Sequence, residues 1–123
     1  MEFYYYTIPI LLPTFNEIID VAKKHWATYR AMKKSYTDVC ALACRDLPIF
    51  DSEISIMVDW YMPNRRKDKD NIAAGVKFIW DGLKQAGKIP DDGWDYQGNT
   101  SHFYTIDKDN PRIYVTVMPW QYG

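Results

Sequence analysis

Cysteine is scarce in this chain, and its scarcity excludes two classes of protein. Only two of the 123 residues are cysteine, Cys40 and Cys44, so the disulfide framework of a small secreted protein is absent. Their spacing of four residues on a predicted helix is typical of small buried hydrophobic residues. A zinc site would need further soft ligands, and the sequence offers none at suitable spacing.

Histidine is also rare, and glycine-rich loops and long apolar runs are missing. The two histidines, His25 and His102, stand beside no plausible nucleophile, so a hydrolytic triad has little support. No glycine-rich phosphate loop occurs, which argues against a nucleotide cofactor. No apolar run approaches the roughly 20 residues of a membrane span, and the short apolar N-terminus predicts a strand. We therefore expect a soluble, cytoplasmic protein with no membrane partner and no small-molecule cofactor.

The chain also lacks an excess of positive charge. The chain has 15 Lys and Arg against 16 Asp and Glu, a net charge of −1. Because Lys and Arg dominate phosphate binding, this balance argues against a nucleic-acid partner unless basic residues are clustered. They are clustered, and two interpretations stay open for them: a solvated face, or a surface that binds a DNA backbone. The clusters are Lys23, Lys24, Arg30, Lys33 and Lys34, and then Arg65, Arg66 and Lys67.

Hydrophobic periodicity predicts a mixed α/β (α+β) fold, in which residues 1–123 form one domain. The predicted order is β-α-(α)-β-α-β-β, a small mixed sheet with helices packed on it and a C-terminal hairpin. We expect the strands at residues 3–11, 53–62, 94–106 and 112–120.

Helix boundaries are predicted from capping residues and chain length. Thr14 and Glu17 form a capping box that starts the first helix. A continuous helix from there to Pro48 would be about 45 Å long, so a break is expected near residues 33–35. The last helix is expected to start at Asp70 or Asn71, to bury a seam of apolar residues and to end at Gly87. The seam comprises Ile72, Val76, Ile79 and Leu83.

The residues with the clearest chemistry follow the second predicted strand. The basic run at residues 65–67 leads into Asp68 and Asp70, and a second acidic pair, Asp91 and Asp92, follows the helix. Two carboxylates at i and i+2 in an extended segment point to the same side. A third carboxylate returned by the helix would complete an oxygen-rich pocket for a hard divalent cation. Positive charge beside such a site suits a phosphodiester substrate.

Lys77 is a candidate amine for the same pocket. It follows Asp70 by seven residues, which on a continuous helix places it about 20° away around the axis. Helical side chains lean toward the N-terminus, so its ammonium would reach back toward the carboxylates. The alternative is a surface ion pair with Asp81 at i+4.

The tetrapeptide DKDN occurs twice, so its four letters alone do not establish a site. The copies occupy residues 68–71 and 107–110. The second lies between two predicted strands and precedes Pro111, which predicts a turn. The first follows a basic run and opens a helix, and only this copy is predicted to bind a cation.

The sequence MPNRRKDKDN, a helix ending DGLKQAG, the segment KIPDD and a terminal hairpin resemble the RusA family of Holliday junction resolvases. The resemblance covers residues 61–120, about half of the chain. It implies a homodimeric, Mg²⁺-dependent endonuclease, with Mn²⁺ as a substitute, that nicks four-way DNA junctions in recombination, repair or phage DNA processing. It further implies the cytoplasm of a bacterial or phage-infected bacterial cell.

The resemblance also implies roles for individual residues. Asp68, Asp70 and Asp92 would be catalytic and metal-binding, with Asp91 as the alternative to Asp92. Lys77 would be the catalytic lysine, although the family lysine lies one turn past the second aspartate, where this chain has Ala74. The implied DNA-binding residues are Arg65, Arg66, Lys67, Lys33, Lys34, Lys23 and Lys24. The alternative function is a non-catalytic phage protein that binds nucleic acid through its basic helix and exposed aromatic residues.

Overall fold

The structure is a computed structural model that describes residues 2–91 and 93–119. Within these residues the chain forms four strands and four helices, which confirms the predicted mixed α/β class. In chain order they are β1 (Tyr4–Ile8), α1 (Phe15–Lys24), α2 (Trp26–Ala43), β2 (Ile54–Met62), α3 (Lys69–Ala73), α4 (Val76–Gln85), β3 (Gln97–Ile106) and β4 (Arg112–Pro119). None of these helices combines the length and the apolar character needed to cross a bilayer.

The four strands form one mixed sheet in the order β1-β4-β2-β3. β4 runs antiparallel to both β1 and β2, whereas β3 runs parallel to β2. The predicted C-terminal hairpin is therefore wrong, because β2 lies between β3 and β4. The turn after β3 crosses the end of β2, where the Asp107 N–H donates to the Met62 carbonyl at 2.8 Å.

The physical reason for this strand order lies in composition. β2 and β4 carry aliphatic side chains that are fully buried, such as Ile56 and Val115, and they take the two central positions. β3 is rich in polar residues and takes an edge, where one side of the strand needs no partner strand. A short turn can join adjacent strands or strands one position apart, so the sequence alone did not distinguish the two.

The helices cover one face of the sheet. Alternate residues of β2, including Val58 and Trp60, are buried there with Ile113 and Val117 of β4. The opposite face we call the open face; it carries the intervening residues of each strand. Those in β2 are Ser55, Met57, Asp59 and Tyr61.

The first helix starts as predicted. Thr14 is the N-cap of α1 and its hydroxyl accepts the Glu17 N–H at 3.4 Å. The break predicted near residues 33–35 is wrong, because the chain breaks at His25, which is extended with φ −160° and ψ 115°. The length argument required a break but did not fix its place. Trp26 therefore begins a new helix and is 67% exposed.

The helix predicted after Asp70 is two helices, and its N-cap is Asp68. Between α3 and α4 the hydrogen bonds shorten to an i→i+3 pattern, from Gly75 N–H to the Ile72 carbonyl at 3.1 Å and from Phe78 N–H to the Gly75 carbonyl at 3.1 Å. This tighter turn advances each residue by about 120° and shifts the faces of α4 relative to α3. The predicted seam still packs inward, with Ile72 and Leu83 buried.

The end of α4 is the predicted one. Gly87 adopts φ 72°, the left-handed conformation that favours glycine. Its N–H donates to the Lys84 carbonyl at 3.0 Å, and the Lys88 N–H donates to the Leu83 carbonyl at 2.9 Å. These two bonds satisfy carbonyls that the helix end would leave free.

Candidate active site

Asp68 and Asp70 lie at the carboxyl end of β2, where the chain turns into α3. Both side chains are exposed and both line one cleft of about 370 Å³, which we call the acid cleft. Its remaining lining residues are Phe15, Asn16 and Asn71. The two carboxylates line one opening, although the segment is not extended throughout as predicted, because Asp70 is already the second residue of α3.

The start of α1 holds the acid cleft in place. The Asn16 N–H donates to Asn71 Oδ1 at 2.9 Å, and the Asn71 N–H donates to Asp70 Oδ1 at 2.9 Å. Lys67 Nζ lies 2.7 Å from Glu17 Oε1. These contacts join segments about 50 residues apart in the chain. From sequence Glu17 was only a capping residue, and no local pattern connects it with Lys67.

Glu17 carries the clearest electrostatic signature beside the cleft. Partial burial raises the pKa of its carboxyl group, but hydrogen bonds from Lys67 and Thr14 lower it and outweigh burial. The net pKa lies below the ordinary value of 4.5. Glu17 is therefore ionised at neutral pH and holds the Lys67 ammonium on the α1 side of the loop.

A second cleft, of about 480 Å³, adjoins Asp68 on the side of β3. Arg65, Lys67 and Lys69 line it together with Tyr104. The Tyr104 hydroxyl donates to the Lys69 carbonyl at 3.0 Å, and the Lys69 ammonium lies 5.5 Å from the centroid of the Tyr104 ring. Asp68 therefore separates an acidic opening from a basic one.

Tyr104 is a site residue that sequence reasoning missed. Burial raises the pKa of its hydroxyl, and the negative charge of Asp70 raises it further. The register of the parallel pair, Trp60 opposite Tyr104, brings it to the loop after β2. The sequence did not predict this position of Tyr104, because it predicted a β3–β4 hairpin and not the parallel pairing of β3 with β2.

Two further ring side chains, Trp60 and His102, pack in a row with Tyr104. Trp60 Nε1 donates to His102 Nδ1 at 2.9 Å, and the two rings stack with centroids 6.0 Å apart. His102 and Tyr104 are stacked with centroids 6.4 Å apart. Burial lowers the pKa of His102, so the imidazole is neutral at pH 7 and can accept this hydrogen bond.

The donor set of the acid cleft suits a hard cation. Mg²⁺ is usually held by one or two carboxylates, with waters and substrate phosphates completing its six ligands. Asp68 and Asp70 supply two carboxylates at one opening, with amide oxygens of Asn16 and Asn71 beside them. In residues 2–91 and 93–119 no group of three or more acidic, histidine or cysteine side chains is placed to hold a metal. Asp92, the predicted third ligand, lies outside the described residues.

Two other predicted residues contact different parts of the structure. Asp91 lies 3.5 Å from Lys84. Lys77 lines neither cleft at Asp68, and its ammonium is 5.9 Å from the centroid of the Phe78 ring. The continuous helix that would align Lys77 with Asp70 is broken by the tight turn before α4. Within the described part of the chain Lys77 also makes no ion pair with Asp81. Lys67 and Lys69 are the lysines that share a cleft with Asp68.

The predicted DNA-binding residues divide among three surfaces. Arg65 and Arg66 are exposed before the acid cleft, where the Arg66 N–H donates to Asn64 Oδ1 at 3.0 Å. Lys23 and Lys24 lie exposed at the end of α1. Lys33 and Lys34 line a separate groove between α2 and α4.

Comparison with known proteins finds similarity over part of the chain. The chain matches no family model. Over 72 residues it is 33% identical to the crossover junction endodeoxyribonuclease RusA of Aquifex aeolicus (strain VF5), and the matched region covers 58% of this chain and 53% of that protein. The chain therefore spans about half the length of this relative. The similarity confirms the resemblance to the RusA family that the motif at residues 61–71 and the segments after it indicated.

Proposed function

We propose that this protein is a divalent-metal-dependent endonuclease that nicks branched DNA, with the four-way junction as its substrate. One observation carries the proposal: Asp68 and Asp70 open onto one cleft, beside basic side chains, in a chain similar to a crossover junction endodeoxyribonuclease. Residues 1–123 act as one nuclease domain in this proposal. The proposal includes the location that the resemblance implies, the cytoplasm of a bacterial or phage-infected bacterial cell.

Asp68 and Asp70 would hold Mg²⁺, or Mn²⁺ in its place, and Asp92 would supply a third carboxylate, with Asp91 as the alternative. Bound there, the cation would lower the pKa of an attacking water and neutralise charge developing on the phosphate. The contact from Asn71 to Asp70 orients one carboxylate, and the contact from Asn16 to Asn71 fixes that orientation. Repulsion between the exposed carboxylates favours a cation at their opening.

The basic residues beside the cleft would bind the DNA backbone. Arg65 and Arg66 are exposed and carry no acidic partner among the residues that the structure describes. Lys69, on the floor of the second cleft with Tyr104, is well placed to meet a phosphate next to Asp68. Lys77 remains the catalytic lysine that the sequence proposes. Lys67 and Lys69, which share a cleft with Asp68, are the alternatives that the structure offers. Such contacts position the substrate, and a cationic group near the phosphate stabilises the transition state.

Paired nicks on opposing strands require two active sites, and a two-fold homodimer supplies them. We propose the open face of the sheet as the dimer surface. Tyr5 and Tyr114 stack there with centroids 5.9 Å apart, and Phe103 is 49% exposed. Met57 lies in the neighbouring row of the sheet, and Asp59 of β2 stands opposite both Tyr114 and Phe103. Exposed aromatic side chains on an uncovered sheet face are typical of a protein interface.

The decisive experiment compares variants of the two DKDN copies on a labelled four-way junction with Mg²⁺ or Mn²⁺. Wild type and Asp109→Asn, altered in the second copy, should both give paired, symmetric nicks. Asp70→Asn should cut at least about 100-fold more slowly, because one metal-binding carboxylate is gone. Its binding of the junction should persist, since the basic residues are unchanged.

Two outcomes would contradict the proposal. Nicking by Asp70→Asn at the wild-type rate would exclude the acid cleft as the active site. Junction binding by all three proteins without nicks in any metal would favour the alternative, a non-catalytic nucleic-acid-binding protein.

A further inference from the structure

A cleft of about 710 Å³ lies between α2 and α4 and shares no lining residue with the clefts at Asp68. We call it the α2–α4 groove. Its α2 wall consists of Trp26, Tyr29, Arg30, Lys33, Lys34 and Thr37. These positions follow the i, i+3, i+4, i+7 spacing of a single helix face, about 16 Å long.

The α2 side chains that contact α4 lie in the C-terminal half of α2, where Tyr36 also packs on Phe78 with ring centroids 5.8 Å apart. Gly82 of α4 meets Cys40 of α2 so closely that an added Cβ would lie 2.6 Å from the Cys40 Cβ. Near this contact Gln85 donates to Asp38 at 2.7 Å. Toward the N-terminus of α2 no such contact occurs among the described residues, and the basic and aromatic side chains are left on an open wall.

Positive charge prevails in the groove. Four basic side chains line it against one acidic side chain, Asp81. Lys34 pairs with Asp38 at 2.9 Å and Lys84 with Asp91 at 3.5 Å. Arg30 and Lys33 are exposed and make no ion pair with any residue that the structure describes. In a chain of net charge −1, this local excess favours a polyanionic ligand.

An exposed aromatic pair stands at the N-terminal end of this wall. Trp26 is 67% exposed, and its ring lies 5.7 Å from that of the half-buried Tyr29 at an interplanar angle of 32°. Tyr29 thus supports one side of the indole while the other side faces solvent. At the floor, the Thr37 hydroxyl is buried and has no hydrogen-bond partner among the described residues.

We propose that the α2–α4 groove binds single-stranded DNA, with an unpaired base stacked on Trp26 and the adjacent phosphates on Arg30 and Lys33. A positive groove combined with a stacking ring is the general arrangement for single strands. Duplex DNA keeps its base faces stacked inside the helix and cannot use Trp26. The inference goes beyond the proposed nuclease function, because it requires neither metal nor cleavage.

The test measures binding of a fluorescein-labelled oligothymidylate of about 12 nucleotides by anisotropy, without divalent metal. Trp26→Ala should weaken binding about 5- to 100-fold, the loss of one stacked base. The matched control is Trp94→Ala, which removes an indole that is 94% exposed outside the groove and should bind as wild type does. Lys33→Glu should weaken binding and flatten its salt dependence, whereas Lys108→Glu, in the exposed turn between β3 and β4, should change both far less.

Three results would overturn the inference. The first is that Trp26→Ala binds as tightly as wild type does, or loses no more than Trp94→Ala loses. The second is that a duplex of equal length and total charge binds equally well. The third is that a poly-glutamate peptide of equal charge displaces the oligonucleotide equally well, which would identify an acidic protein partner instead. Junction nicking by Asp70→Asn is scored separately, so failure of either proposal leaves the other testable.

Discussion

Lys67 and Glu17 show how single residues fix the acid cleft. Their 2.7 Å ion pair joins the loop before α3 to the first turn of α1, across 50 residues of sequence. Both side chains are about half exposed, so the pair stabilises the fold only modestly, by about 0.2–1 kcal/mol. Its larger effect is positional, since the same loop carries Asp68.

The lowered pKa of Glu17 predicts a specific pH dependence of stability. A carboxyl group with a folded-state pKa below its unfolded value stabilises the fold above the unfolded pKa and loses that contribution as pH falls through the folded pKa. The unfolded value is near 4.5. Urea unfolding should therefore show that Glu17→Gln is less stable than wild type at neutral pH, and that the difference shrinks in acid. A difference that stays constant down to about pH 3 would contradict the assignment.

At the residue scale the sequence predicted the acidic residues better than their neighbours. Asp68 and Asp70 line one cleft, because residues two apart in sequence at the start of a helix stay close together. The second DKDN copy forms the predicted turn, in which Asp107 Oδ1 accepts the Asn110 N–H at 3.2 Å. Tyr104 and the contact of Glu17 with Lys67 depend on strand order and helix placement, which no local pattern encodes.

At the scale of elements, the helix pair α2 and α4 depends on a glycine. Gly82 is buried, and an added Cβ would lie 2.6 Å from the Cys40 Cβ and 2.9 Å from the Cys40 carbonyl carbon. Backbone atoms cannot move aside as a flexible side chain can, so the helices would have to separate.

Gly82→Ala should accordingly destabilise the protein by about 1–3 kcal/mol, the usual cost of overpacking a core. Thermal unfolding measures the effect. Gly93→Ala is the matched control, because a Cβ there would meet nothing closer than 4.0 Å, and its melting temperature should stay near that of wild type. Equal melting temperatures for all three proteins would contradict the close packing of α2 on α4.

Element types were more predictable than their arrangement. The alternation predicted for β2 and β4 and the predicted seam of Ile72, Ile79 and Leu83 are confirmed, because burial on one face sets each pattern. The predicted positions of the helix breaks are wrong. Both His25 and the tight turn at Ala74 and Gly75 lack a distinctive local signal. Strand order also depends on which strands compete for the central positions, a property of the whole sheet.

At the scale of the whole molecule, helices on one face leave the other face to be covered. If the open face is the dimer surface, wild type should elute and scatter light as a particle of twice its 14.5 kDa mass. Phe103→Glu should shift it to the monomer, because a buried unpaired charge at an interface is strongly unfavourable. Ile49→Glu is the control, altering a residue 74% exposed away from the strands, and should leave the dimer intact. A wild-type monomer, or an unchanged Phe103→Glu dimer, would count against this surface.

The most direct measurement of the central claim is the binding position of Mn²⁺ in the ¹⁵N-labelled protein, followed by paramagnetic broadening of its amide signals. We expect the amides of Asn16 and of residues 68–71 to broaden first, those of residues 107–110 to stay sharp, and the effect to vanish in the Asp68→Asn, Asp70→Asn double variant. Broadening centred on residues 107–110, or persisting around Asn16 in the double variant, would contradict a cation site at the start of α3.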